Sequence, residues 1–160
     1  MQRKAEKEAL IARYSAAAGV AAEVPFPAQG NAQGAWFRRS SVTCEQVQAI
    51  TTVSGTAASG QKGLAVRATC RAAALAAPVI IDLGFTRDLA TPQWQGGEVT
   101  GVIAPGPRLV ADPPVAGLQP LARPDPGDLP NNHLAYAGQW FFFALTALVI
   151  YVLAIRRRAR

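Results

Sequence analysis

The feature that most constrains this chain is an apolar run from Leu134 to Ile155 that holds no charged side chain and stops at Arg156, Arg157 and Arg158. A hydrocarbon core needs about 20 residues of helix at a rise of about 1.5 Å each, and this run is long enough. Gln139 and Thr146 are its plainly polar side chains. Tyr136 and Trp140 near its start and Tyr151 near its end stand where interfacial aromatics collect, and the closing arginines mark the cytoplasmic end. The expectation is a transmembrane helix over 133–155 and a basic cytoplasmic tail over 156–160. The soluble part then lies on the opposite side, in a periplasm or its organelle equivalent; the expected location is a bacterial inner membrane.

At about 100° per residue, His133, Ala137, Trp140, Ala144, Ala147 and Tyr151 fall on one stripe of this helix. Phe141, Leu145, Leu148, Val149 and Val152 fall on another and suit lipid. The first stripe, small and aromatic, suits packing against another helix or a flat ligand. An ordinary single-pass anchor in an alanine-rich protein would carry the same residues.

The net charge of +6 suggests nucleic acid until it is placed along the chain. The two termini carry all of it, since Tyr14 to Ile155 holds eight basic and eight acidic residues. A neutral middle offers no track for phosphates, so nucleic acid is not an expected partner. The terminal charges suit an anionic lipid bilayer.

Before the span, Gln2 to Ala18 is rich in alanine and free of glycine and proline, which favours helix, with Leu10, Ile11 and Tyr14 on one face. Gly19 to Gly34 is expected as loop. From Trp36 onward, short runs of β-formers alternate with turn residues: Trp36 to Cys44, Ile50 to Val53, Leu64 to Arg71, Val79 to Phe85 and Glu98 to Ile103. Local connections without long helices imply an antiparallel sheet or small barrel, with a short helical turn over Ala72 to Ala77. The proline-rich stretch from Ala104 to Pro130 is expected to exclude helix and central strand, and to act as an extended spacer to the bilayer. The fold class is therefore α+β. Its expected parts are an amphipathic helix (1–18), a β-rich soluble domain (19–111), a proline-rich strap (112–132), the membrane helix and the tail.

Few residues invite chemistry. Cys44 and Cys70 lie 26 positions apart, which leaves three readings open: a disulfide in an oxidising compartment, two buried thiols, or a two-thiolate copper site. Asp82 and Asp88 flank an expected loop and suit capping better than catalysis. No nucleophile elbow, phosphate loop or dinucleotide fingerprint is present, so an enzyme is not expected. His133 opens the membrane helix on the stripe of Trp140. It suits either an axial haem ligand or a polar residue bonded at the helix entrance.

The segment Asn131 Asn132 His133 Leu134 Ala135 Tyr136 Ala137, then Gln139 Trp140 Phe141, ending in Tyr151 and the arginines, resembles the second membrane helix of the surfeit locus protein 1 family of cytochrome c oxidase assembly factors. The basic helix Arg3 to Arg13 resembles the segment after that family's first span. Ile80 Ile81 Asp82 Leu83 Gly84 Phe85 resembles its strand ending in aspartate, arginine, glycine and tryptophan, and Val99 to Ile103 resembles a later strand. The resemblance implies a non-enzymatic assembly factor that acts on oxidase subunit I and its assembly intermediates and aids haem a insertion. It implies His133 as ligand to the haem iron, with Tyr136 and Trp140 as supporting contacts. A cofactor-free scaffold and copper handling through Cys44 and Cys70 are the alternatives. Leu83 and Phe85 replace the family's arginine and tryptophan, which removes any role tied to those side chains. The family's first span also implies a further apolar segment upstream of Met1.

Overall fold

Alanine, lysine and glutamate carry the helix α1 over Gln2–Ala18, which ends at Gly19. Within the computed structural model, residues 2–19, 22–27, 32–128 and 133–158 are described. On the expected apolar face of α1, Tyr14 is buried, Ile11 half-buried and Leu10 exposed. The Tyr14 ring lies 5.2 Å from that of Phe37 and 6.0 Å from that of Trp36, so α1 docks mainly through one aromatic residue. Phe37 has a left-handed φ of 64°. Its N–H donates to the Ile103 carbonyl (2.7 Å), while the Ile103 N–H donates to the Arg38 carbonyl (2.9 Å). That is a bulge of the type that favours glycine, held here by a ring that is 2% exposed.

Six strands follow: β1 Arg39–Cys44, β2 Gln46–Thr56, β3 Lys62–Arg71, β4 Val79–Thr86, β5 Gly97–Ala104 and β6 Arg108–Ala111. They form one sheet in the order β1-β5-β6-β4-β3-β2. β1 and β2 stand at opposite ends of that order, yet Glu45 alone separates them in the chain. The sheet must therefore curl until its two edges meet at Glu45, whose N–H donates to the Arg71 carbonyl at 3.0 Å. Cys44 and Cys70 are joined in a disulfide beside this corner and tie β1 to β3 across the curl. Inside it sit Val42, Val66, Ala68, Ile81, Leu83, Val99, Ile103 and Leu109.

Four expectations need correction. The sheet is mixed, because β6 pairs parallel to β4, with Ile81 opposite Leu109, and antiparallel to β5. β6 is an interior strand within the stretch whose prolines were expected to exclude one. Arg108–Ala111 is proline-free, and Pro107 and Pro113 stand beyond its ends, where no ladder N–H is required. β2 is far longer than Ile50 to Val53, since pairing with β3 holds its threonines, serine and glycine extended. Ala72 to Ala77 forms a turn, closed by the Leu75 N–H on the Ala72 carbonyl, and no helix.

The segment after β6 is no free spacer. Val115 N–H donates to the Leu83 carbonyl, Gln119 exchanges two bonds with Phe85, Ala58 N–H donates to the Pro120 carbonyl, and Ala122 N–H to the Thr56 carbonyl. The close fit depends on Gly84, where a Cβ would lie 2.5 Å from Leu118 Cβ and 2.9 Å from the Gln119 oxygen.

The chain divides into two compact units, Met1–Asp128 and Leu129–Arg160. The second contains α2, His133–Arg158, an unbroken helix that runs three residues beyond the expected end of the span. Its stretch Gly138–Arg158 has a mean hydropathy of 2.0 and none of it is buried within the protein. Thr146 satisfies its hydroxyl on the Phe142 carbonyl at 2.8 Å.

Candidate functional site

On α2, His133 is the first helical residue, with Tyr136 in the first turn and Trp140 two turns on. One unbroken helix places His133, Ala137, Trp140, Ala144, Ala147 and Tyr151 in a single stripe along its length. The side chains of His133 and Tyr136 lie outside the described residues. Trp140 is 71% exposed, and its ring meets that of Phe143 edge-on at 6.2 Å. A largely exposed indole thus stands on a helix that holds no charge from Leu134 to Ile155. Among the described residues no cluster of three or more metal-ligating side chains occurs. By residue type, the imidazole of His133 and the indole of Trp140 are the groups on this helix whose chemistry would suit a haem.

The two cysteines are bonded to each other, both nearly fully buried, with Cα atoms 5.4 Å apart. In this state neither is a thiolate that copper could take. Asp82 and Asp88 do not come together. Asp88 is exposed in the β4–β5 loop, where its N–H donates to the Thr86 hydroxyl.

Asp82 lies within β4, the strand expected over Val79 to Phe85, and is buried there, where it was expected to suit capping. Arg67 on β3 donates to Oδ1 through Nε (2.6 Å) and to Oδ2 through Nη2 (3.1 Å). Arg108 on β6 donates to Oδ2 through Nε (2.9 Å), and its Nη1 reaches the Pro105 carbonyl (2.6 Å). The Asp82 hydrogen bond holds the Arg67 pKa above its ordinary value, against a smaller opposing effect of burial. Three N–H groups from two arginines grip this buried carboxylate, so the cluster staples β3, β4 and β6. Sequence reasoning missed both arginines. The available signal was a carboxylate inside an otherwise apolar strand, which must have cationic partners on its neighbours.

A second ion cluster lies on the same outer face. Asp112 accepts from Arg123 (2.7 Å) and Arg39 (3.5 Å), beside a cleft of about 420 Å³ whose walls include Val102, Val110 and Leu121. A wider groove of about 610 Å³ runs along β1 between Phe26 and Leu75. Neither contains a residue set suited to catalysis.

Compared with known proteins, residues 1–145 match the family described as the SURF1 family. No curated protein and no solved structure matches the chain.

Proposed function

Since the chain belongs to the SURF1 family, whose association is with cytochrome c oxidase assembly, we propose that it is a membrane-anchored factor aiding haem a insertion into oxidase subunit I. The observation that carries this reading is α2 itself: a helix without charge from Leu134 to Ile155, with His133 at its head and the exposed Trp140 ring on the same stripe. Haem is cargo here. Its iron accepts an imidazole nitrogen axially, which gives His133 the role of ligand and Tyr136 and Trp140 the role of covering surface. The sheet unit faces the periplasm of a bacterial inner membrane, and Arg156, Arg157 and Arg158 remain cytoplasmic. The Cys44–Cys70 disulfide supports that placement, because such bonds persist in oxidising compartments.

A cofactor-free scaffold is the second reading. It is favoured by the small residues Ala137, Ala144 and Ala147 between the aromatics of the stripe, which allow close approach of a partner helix. A titration of detergent-purified protein with haem a separates the two. The first reading expects a five-coordinate, histidine-ligated spectrum that His133→Ala abolishes, with affinity lowered at least tenfold. Identical spectra and affinities for the two proteins would remove the ligand role and leave the scaffold.

A further inference from the structure

β2 is an edge strand with an unusual composition. It is the longest strand, 11 residues, and contains neither charge nor proline. It pairs with β3 alone, and Gln48, Ala49, Thr51, Thr52 and Ser54 are exposed. Exposed edges in soluble proteins are ordinarily blunted by charge, proline or a covering segment.

The register identifies which backbone groups are open. Ala57 N–H donates toward β3, to the Gln61 carbonyl, so by alternation Thr56, Ser54, Thr52 and Ile50 turn their N–H and C=O groups outward. Part of this edge already accepts an extended chain. Ala122 N–H bonds the Thr56 carbonyl, and Ala58 N–H bonds the Pro120 carbonyl. Pro124 then ends that pairing, since it has no N–H. Among the described residues nothing pairs with the outward groups of Ile50, Thr52 and Ser54.

We propose that this open stretch is a self-association edge, where β2 of a second copy pairs antiparallel about a two-fold axis at Thr52. A strand meeting itself about a two-fold puts residues symmetric about the axis opposite each other, and any charge near the axis would meet its like. β2 has none. Thr52 meets Thr52 of the second copy, and Ile50 meets Ser54, both neutral pairs of β-forming residues. The strap at Thr56 stops the ladder there and so fixes the register around Thr52. The paired length is about 17 Å with about six hydrogen bonds, well under a standard interface of about 1,200 Å² or more. The dimer is therefore concentration-dependent, and confinement to a bilayer favours it. This inference is independent of haem binding.

The test uses the full chain in detergent or nanodiscs. Both native cysteines are in the disulfide, so Thr52→Cys adds the one free thiol. Hydrogen-bonded antiparallel partners lie about 5.5 Å apart at Cα, within disulfide reach. Mild oxidation should give a covalent dimer of Thr52→Cys at least tenfold faster than of Ser59→Cys in the β2–β3 turn. A mixture of Ile50→Cys and Ser54→Cys should cross-link, and each alone should not. Thr52→Lys should lower the sedimentation-derived association constant at least tenfold. Equal rates for Thr52→Cys and Ser59→Cys would overturn the proposal. So would cross-linking of Thr52→Cys in native membranes to a different polypeptide and not to itself.

Discussion

Arg67 and Asp82 face each other across β3 and β4, the guanidinium gripping both carboxylate oxygens at 2.6 and 3.1 Å while Arg108 closes on the same carboxylate from β6. Two consecutive strands, β3 and β4, and the later β6 are thereby fixed in one register. Asp82→Asn leaves two arginines facing a neutral amide in a buried strand. A loss of about 2 to 4 kcal/mol is expected, less than for a fully buried pair because both guanidiniums are about a third exposed. The urea midpoint of the purified protein measures it.

The direction of the Arg67 shift sets a pH dependence. A cation whose pKa rises on folding contributes stability fully below its unfolded pKa, and loses it only as pH climbs through the higher folded one. For an arginine that window lies above the working range. The stability gap between the protein and Arg67→Met is therefore expected to stay constant from about pH 7 to pH 10. A gap that closes across this range would contradict it.

The disulfide joins an edge strand to the far side of the curl over a separation of 26 residues. Closing a loop of that size contributes about 3 to 4 kcal/mol in the chain-entropy model. The double variant Cys44→Ser, Cys70→Ser is expected to lose that much in urea unfolding, and amides of β1 near Glu45 should exchange faster.

Much of this architecture is legible in the sequence, and the failures share one cause. The helices α1 and α2 follow from composition and periodicity within one segment. β1, β3, β4 and β5 follow from runs of β-formers between turn residues. β6 and the strap do not, because their backbone groups are satisfied by strands far away in the chain, and prolines flanking Arg108–Ala111 conceal a proline-free interior strand. The strand that holds Asp82 is legible, but its burial is not, because only the arginines of β3 and β6 make that burial tolerable. The stripe of α2 is read directly from spacing, whereas the Asp112 cluster depends on tertiary approach of Arg39 and Arg123.

Gly84 tests whether the proline-rich segment is pinned to the sheet. Gly84→Ala forces Leu118 and the Gln119 carbonyl aside, with an expected cost of about 1 to 3 kcal/mol and faster proteolysis near Leu118. Gly34→Ala, where a Cβ meets nothing within 4 Å, should fall within about 0.5 kcal/mol of the parent.

The proposed orientation of α2 rests on its closing arginines. A fluorescent protein fused after Arg160 should fluoresce, and alkaline phosphatase fused at the same place should be inactive. The opposite pattern would place the tail in the periplasm.

The most direct test of the central claim is the haem a signal of cytochrome c oxidase in membranes of a strain lacking this gene, from reduced-minus-oxidised spectra. The expected result is a loss of at least fivefold, restored by the full chain but not by a chain ending at Asp128, and restored only in part by His133→Ala. Unchanged oxidase haem a and oxidase activity in the deletion strain would contradict the account.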